Sequence, residues 1–140
     1  MKQLYFDTNI FIYFSNTDST YYAETQLLLR YCQDNDIRIV TSCETIQEII
    51  YYCQRIKQVQ KGILMSNLVI QTVDKMFTVN QNTIELYLDL IQDFPTIPSR
   101  DLLHGATCIL NGNLDMITYD KHLLKLGRIS AQKPESFIKH

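Results

Sequence analysis

Only four glycines and three prolines interrupt the 140 residues, so long stretches of the chain are free to be helical. No apolar run is long enough to cross a bilayer. The stretch from Leu4 to Phe14 is broken by Asp7 and Asn9 and carries no small-residue cleavage site, so a cytoplasmic protein with no membrane contact is expected. The four cysteines (Cys32, Cys43, Cys53 and Cys108) form no CxxC pair and no Cys/His metal spacing, which points to free thiols in a reducing compartment. An excess of positive charge is missing too. Thirteen Lys and Arg against fifteen Asp and Glu leave a formal net charge of −2, so a nucleic acid would have to be met by a local basic surface. There is no internal repeat, low-complexity tract or linker. With 46% apolar and 20% charged residues, the chain reads as one globular domain over residues 1–140.

What is present is an alternation of short apolar runs with helical patterns. Gln3 to Phe6 reads as a buried strand, and a short helix begins within Ile10 to Phe14. Ser19 to Gln33 has helical spacing and stops at Asp34-Asn35-Asp36, and the β-branched alternation of Ile37 to Thr41 predicts a second strand. Ser42 is an expected N-cap for a helix to about Lys57, and residues 59–75 predict another helix. Phe77 to Val79 is a third candidate strand. Thr83 to Phe94 predicts an amphipathic helix with Ile84, Tyr87, Leu88, Ile91 and Phe94 on its apolar side. Ser99 is expected to cap a helix to Leu110, Met116 to Tyr119 to form a fourth strand, and Lys121 to Leu126 a short helix. Strands separated by helices imply a parallel sheet covered on both faces.

Asp7 falls directly after the first of these strands and Asp120 directly after the fourth. In an open parallel sheet ligands gather outside the carboxyl ends of the strands, so both carboxylates should face one edge. Asp101, in the first turn of its helix, and Glu48, about two turns into the helix after the second strand, can join them. Glu44, one turn earlier on the same face, competes with Glu48. Each acid also has a plainer reading. Asp7 and Asp120 can cap turns, Asp101 suits the helix dipole, and Glu48 can be solvated surface. Converging carboxylates raise one another's pKa unless a cation compensates, and an all-oxygen set favours Mg²⁺ or Mn²⁺ over Zn²⁺. Such a site is suited to hydrolysis of a phosphodiester.

Four blocks then resemble the PIN-domain family, and within it the VapC-like toxins of bacterial toxin–antitoxin pairs. They are Tyr5-Phe6-Asp7-Thr8-Asn9-Ile10-Phe11-Ile12, then Thr41-Ser42 through Thr45 to Glu48-Ile49, then Arg100-Asp101-Leu102-Leu103-His104-Gly105-Ala106-Thr107, and last Ile117-Thr118-Tyr119-Asp120-Lys121-His122-Leu123. The resemblance implies a three-layer α/β/α fold with a central parallel sheet of four to five short strands. It implies that Asp7, Glu48, Asp101 and Asp120 form a catalytic Mg²⁺ or Mn²⁺ site for cutting RNA, with Asp7 and Asp101 the most direct ligands. Ile49 matches the aliphatic residue that follows the family's second acid, which implies Glu48 over Glu44. Asn9 and Thr118 would be polar support. The resemblance further implies a homodimer and a cognate antitoxin. Lys121-His122-Leu123 stands where the family often has an acid and Phe, and Gly105 replaces a common Ala.

Arg100, beside Asp101, and Lys121 are candidates for phosphate contact, and Arg55, Lys57 and Lys61 or Lys121, Lys125, Arg128 and Lys133 could flank the cleft. His104 lies on the Asp101 helix and reads more simply as a packing residue. Two other classes remain in view. Haloacid-dehalogenase-like phosphotransferases also place an Asp after their first strand but need a second acid two residues on, where this chain has Asn9. A catalytically silent PIN fold that binds RNA or protein is the non-enzymatic alternative.

Overall fold

A computed structural model describes residues 2–112 and 114–139. Its centre is β1 (Gln3–Phe6), in which Leu4, Tyr5 and Phe6 are all fully buried, as a strand covered on both faces requires. The five strands run parallel in the order β3-β2-β1-β4-β5. The others are β2 (Arg38–Ser42), β3 (Lys75–Phe77), β4 (Asp115–Ile117) and β5 (Ser130–Gln132). Since β1 lies between β2 and β4, successive connections leave it toward opposite sides of the sheet. That reversal opens a crevice at the carboxyl ends of β1 and β4.

Alternate side chains of β1 serve two cores. Leu4 and Phe6 pack with Ile10, Phe11, Leu28, Ile49 and Val69 on one face, beneath α1 (Thr8–Phe14), α2 (Tyr22–Asp34), α3 (Cys43–Arg55), α4 (Val59–Thr72) and α8 (Pro134–Ile138). Tyr5 packs with Val40, Leu90, Leu102, Ala106 and Leu123 on the other, beneath α5 (Gln81–Asp93), α6 (Ser99–Leu110) and α7 (Lys121–Leu124). The expected three layers and parallel sheet are therefore present. All four cysteines are free. Among the described residues no helix is long and apolar enough to cross a membrane.

Several boundaries differ from the sequence reading. The third strand starts two residues earlier than expected because Asp74 pairs with β2 twice: its N–H donates to Ile39 O at 2.8 Å and its Oδ2 accepts from Ile39 N at 2.9 Å. The fourth strand ends at Ile117, not Tyr119, and β5 and α8 were not anticipated. Ser42 occupies the N-cap of α3, yet its side chain makes no cap bond. Ser99 is not a cap either, since Pro98 holds that position. Helix α5 begins at Gln81 because Asn80 and Thr83 form a reciprocal capping box. Its inner side is Thr83, Leu86, Tyr87, Leu90, Ile91 and Phe94, so Tyr87, Ile91 and Phe94 pack as expected while Ile84 and Leu88, 39% and 57% exposed, do not. Apolar residues surround most of α5, and their spacing is compatible with more than one face.

Two helical glycines test this packing in opposite directions. A Cβ on Gly62 of α4 would stand 2.8 Å from Cys53 Cβ of α3, so these helices approach closely because the side chain is missing. A Cβ on Gly105 of α6 would meet only Leu126 Cδ2 at 3.5 Å, an ordinary contact. In urea denaturation, Gly62→Ala is expected to destabilise by about 1–3 kcal/mol through overpacking. Gly105→Ala should stabilise by about 0.5–1 kcal/mol through helix propensity.

Candidate active site

The crevice at the carboxyl ends of β1 and β4 is a cleft of about 430 Å³ lined by Asp7, Thr8, Asn9, Ile12, Glu48, Tyr51, Tyr52, Arg55, Pro98, Arg100, Asp101, Asp120, Lys121 and His122. All four acids singled out in the sequence line it, as do Asn9, Arg100 and Lys121. Thr118 lies behind the wall, fully buried. Of the two basic groups, Arg55 and Lys121 are in the lining.

Asp7 is delivered by the end of β1, where its N–H still donates to Ile117 O of β4 at 3.0 Å. Its side chain caps α1: Oδ1 accepts from the Thr8 N–H at 2.8 Å, and Oδ2 accepts from the Thr118 hydroxyl at 2.7 Å. Capping and convergence are thus one arrangement, because the bonds that start α1 also aim the carboxylate. Asp120 has the same double duty. Its Oδ1 accepts from the N–H groups of His122 and Leu123 at 2.8 and 3.2 Å, which starts α7, while the Thr118 hydroxyl accepts from its N–H at 2.9 Å. Asp101 sits in the first turn of α6, 8% exposed, and its carboxylate has no hydrogen bond or ion pair among the described residues.

Glu48 comes from the opposite layer and is held by groups that sequence reasoning passed over. Its Oε2 accepts from the Thr8 hydroxyl and lies 2.9 Å from His104 Nε2. His104, fully buried on α6, reaches the Tyr5 phenol with Nδ1 at 2.6 Å and stands 3.7 Å from Asp7 Oδ1. It is a polar member of the site and not the simple packing residue expected. Its partners lie 99 and 56 residues away in sequence, so only the three-residue spacing from Asp101 to His104 hinted at a shared face. Glu44 is outside the lining, half-buried.

Burial pushes the Glu48 carboxyl up, but the hydrogen bond and charge of His104, with the Thr8 hydroxyl, hold it below the usual range. Burial likewise opposes the charged form of His104, yet Glu48, Asp7 and Asp101 raise it to about 9. An imidazolium–carboxylate pair results, with Nε2–H donating to Glu48 and Nδ1–H to the Tyr5 oxygen. Burial raises Asp7 above the ordinary carboxylate value. Burial first, then the charges of Asp120 and Asp7, push Asp101 up to about 7.

Among the described residues no group of three or more His, Cys, Asp or Glu side chains is arranged to hold a metal ion. The available donors are carboxylate oxygens facing one cleft, and His104 Nε2 is committed to Glu48. That set suits a hard cation held by one or two carboxylates with water and substrate phosphate, rather than a nitrogen- or sulfur-preferring ion.

Asp101 provides the electrostatic test. Its folded-state pKa lies above the unfolded value, so its contribution to stability is complete below about pH 4 and is lost as pH rises through about 7. Asp101→Asn removes that loss. In EDTA, the variant should melt close to wild type at pH 5 and higher than wild type at pH 8, by on the order of a few degrees. A difference that does not change with pH would contradict the crowding.

Comparison with known proteins bears on the fold and the family. The solved structure of Mycobacterium tuberculosis VapC20, described as a Sarcin-Ricin loop cleaving toxin, superposes with a TM-score of 0.74 at 13% identity, covering 89% of this chain and 95% of that one. A toxin–antitoxin complex from Klebsiella pneumoniae matches with a TM-score of 0.66 at 21% identity, covering 94% of this chain and 97% of that one. Ribonuclease VapC13 of Mycobacterium tuberculosis is 24% identical over 115 residues, which is 82% of this chain and 88% of the relative. The PIN domain family profile matches residues 4–129, and the chain belongs to the PIN domain family.

Proposed function

We propose that this chain is a divalent-metal-dependent endoribonuclease acting as the toxin of a toxin–antitoxin pair. The observation that carries the reading is the crowding of Asp7, Glu48, Asp101 and Asp120 in one cleft, where burial and the charges of Asp120 and Asp7 outweigh those of His104 and Arg100 and push Asp101 up to about 7. Membership of the PIN family, a relative named as a ribonuclease and a structural neighbour described as an RNA-loop-cleaving toxin support it.

Asp7, Asp101, Asp120 and Glu48 would hold the ion, Mg²⁺ or Mn²⁺ by their oxygen-only chemistry. When bound, it would supply positive charge to the scissile phosphate and lower the pKa of an attacking water. The chain's own groups prepare the site. Thr118 and the Thr8 N–H fix both oxygens of Asp7, and His104 with the Thr8 hydroxyl fixes Glu48. Residues held in advance need no reorganisation when charge develops on the phosphate. Asn9 supplies an amide at the rim, while Arg100 and Lys121 on the wall beside Asp101 and Asp120 are placed to meet the RNA backbone. The partner is an antitoxin protein, as in the Klebsiella complex, the site of action is the cytoplasm, and the family resemblance extends to a homodimer.

The test uses purified chain and end-labelled RNA with Mn²⁺ or Mg²⁺. Cleavage should appear with either ion and vanish in EDTA. Asp7→Asn should lower the rate at least about a hundredfold, the scale of losing one preorganised electrostatic group. Glu44→Gln, outside the cleft, should stay within a few-fold of wild type. Cleavage indifferent to EDTA and to Asp7→Asn would overturn the reading, and RNA binding without cleavage under all conditions would point to a binding module.

A further inference from the structure

Helix α3 contributes more to the cleft than Glu48. Tyr51, Tyr52 and Arg55 also line it, three, four and seven residues after Glu48, which places all four on one stripe of the helix. The two rings are 48% and 46% exposed, and no hydrogen bond among the described residues engages either phenol. The Arg55 guanidinium lies 5.7 Å from the centre of the Tyr51 ring and has no ion pair among the described residues. At 1.5 Å of rise per residue, the rings stand about 5–6 Å and Arg55 about 10 Å along the axis from Glu48. Two half-exposed aromatic rings, one with the Arg55 guanidinium over a single face and its other face left for a ligand, therefore follow the acids outward along a single wall.

We propose that Tyr51 and Tyr52 form a stacking platform for an unpaired RNA base next to the phosphate held at the acids, with Arg55 receiving the following phosphate. The proposal rests on the nuclease reading above and assigns Tyr51, Tyr52 and Arg55 of this chain to holding the strand beside the cut. Aromatic rings bind bases by their π-faces, which are open in an unpaired strand and already covered in a duplex. Charge favours this occupant. The stripe runs from a carboxylate cluster suited to a cation-bridged phosphate to a cation suited to a second phosphate, with Arg100 and Lys121 on the facing wall. A protein segment would find Ile12 and Pro98 as the aliphatic surface in that lining.

Fluorescence anisotropy with the full chain carrying Asp7→Asn, so that RNA survives the measurement, tests the platform. Three labelled probes are used: an unstructured RNA of about 12 nucleotides, the same strand annealed to its complement, and the same strand with abasic sites. Tyr51→Ala and Tyr52→Ala should each weaken binding of the unstructured strand roughly 5- to 150-fold, while Tyr51→Phe and Tyr52→Phe stay within about twofold. Arg55→Ala should reduce the slope of log affinity against log salt by about 0.7. Duplex and abasic probes should be insensitive to the ring substitutions. Leu64→Ala, exposed on α4 outside the cleft lining, is the control for folding and should bind as the parent does. Unchanged affinity of both alanine variants for the unstructured strand, or an equal loss toward the duplex, would overturn the platform. The two readings fail separately. A chain with native Asp7 that cuts RNA while its ring variants bind and cut normally retains the nuclease and loses the platform. A chain that never cuts, but whose ring variants lose single-strand affinity, retains the platform and loses the nuclease.

Discussion

Carboxylates brought together in a partly dry cleft repel one another, and the carboxyl edge of this sheet is organised around that repulsion. Asp7 is relieved by two hydrogen bonds and Glu48 by an imidazolium, while Asp120 is stabilised at the N-terminus of a short helix. Asp101 accepts no hydrogen bond among the described residues, and the charges of His104 and Arg100 only partly offset burial and its acidic neighbours, so its pKa is pushed up to about 7. A protein needing only a stable fold would gain by placing an apolar or amide side chain there. The crowding is instead what a cation and a phosphate chain would relieve together, which ties the unfavourable electrostatics of the cleft to the chemistry proposed for it.

The same constraint explains why both helical layers are needed. Glu48 descends from α3 on one face of the sheet, and Asp101 and His104 from α6 on the other. They meet only past the strand ends, where no strand separates the layers. Tyr5 belongs to the α6-side core yet reaches His104, so a residue of the central strand indirectly sets the position of a carboxylate from the opposite layer. This cross-layer link also places α3 so that its next exposed residues, Tyr51, Tyr52 and Arg55, extend the cleft wall.

Much of this geometry was legible in the residues alone, for identifiable reasons. Asp7 and Asp120 follow apolar runs directly, so the rule that ligands gather at strand ends was enough to bring them together. Asp101 was placed by its position in a first helical turn. Glu48 and Glu44 share a helical face, and periodicity could not separate them; the family's aliphatic neighbour did so, and the structure puts Glu48 in the lining. His104 was undervalued because its role depends on Tyr5 and Glu48, contacts that no local pattern encodes. Boundaries failed where tertiary or capping chemistry prevailed over periodicity: Asp74 extended β3 backward, the Asn80–Thr83 box advanced α5, and β5 is a three-residue edge strand too short to signal itself.

The central claim is that the acid cluster binds a divalent cation, and titration calorimetry with Mn²⁺ tests it most directly. At pH 7, in two buffers of different ionisation enthalpy, saturable binding should be accompanied by proton release, because the ion displaces the proton that Asp101 partly retains. The release should fall as pH rises toward 8.5, and binding should be weakened by Asp101→Asn. Absence of saturable binding, or binding that is insensitive to Asp101→Asn and releases no proton at pH 7, would contradict it.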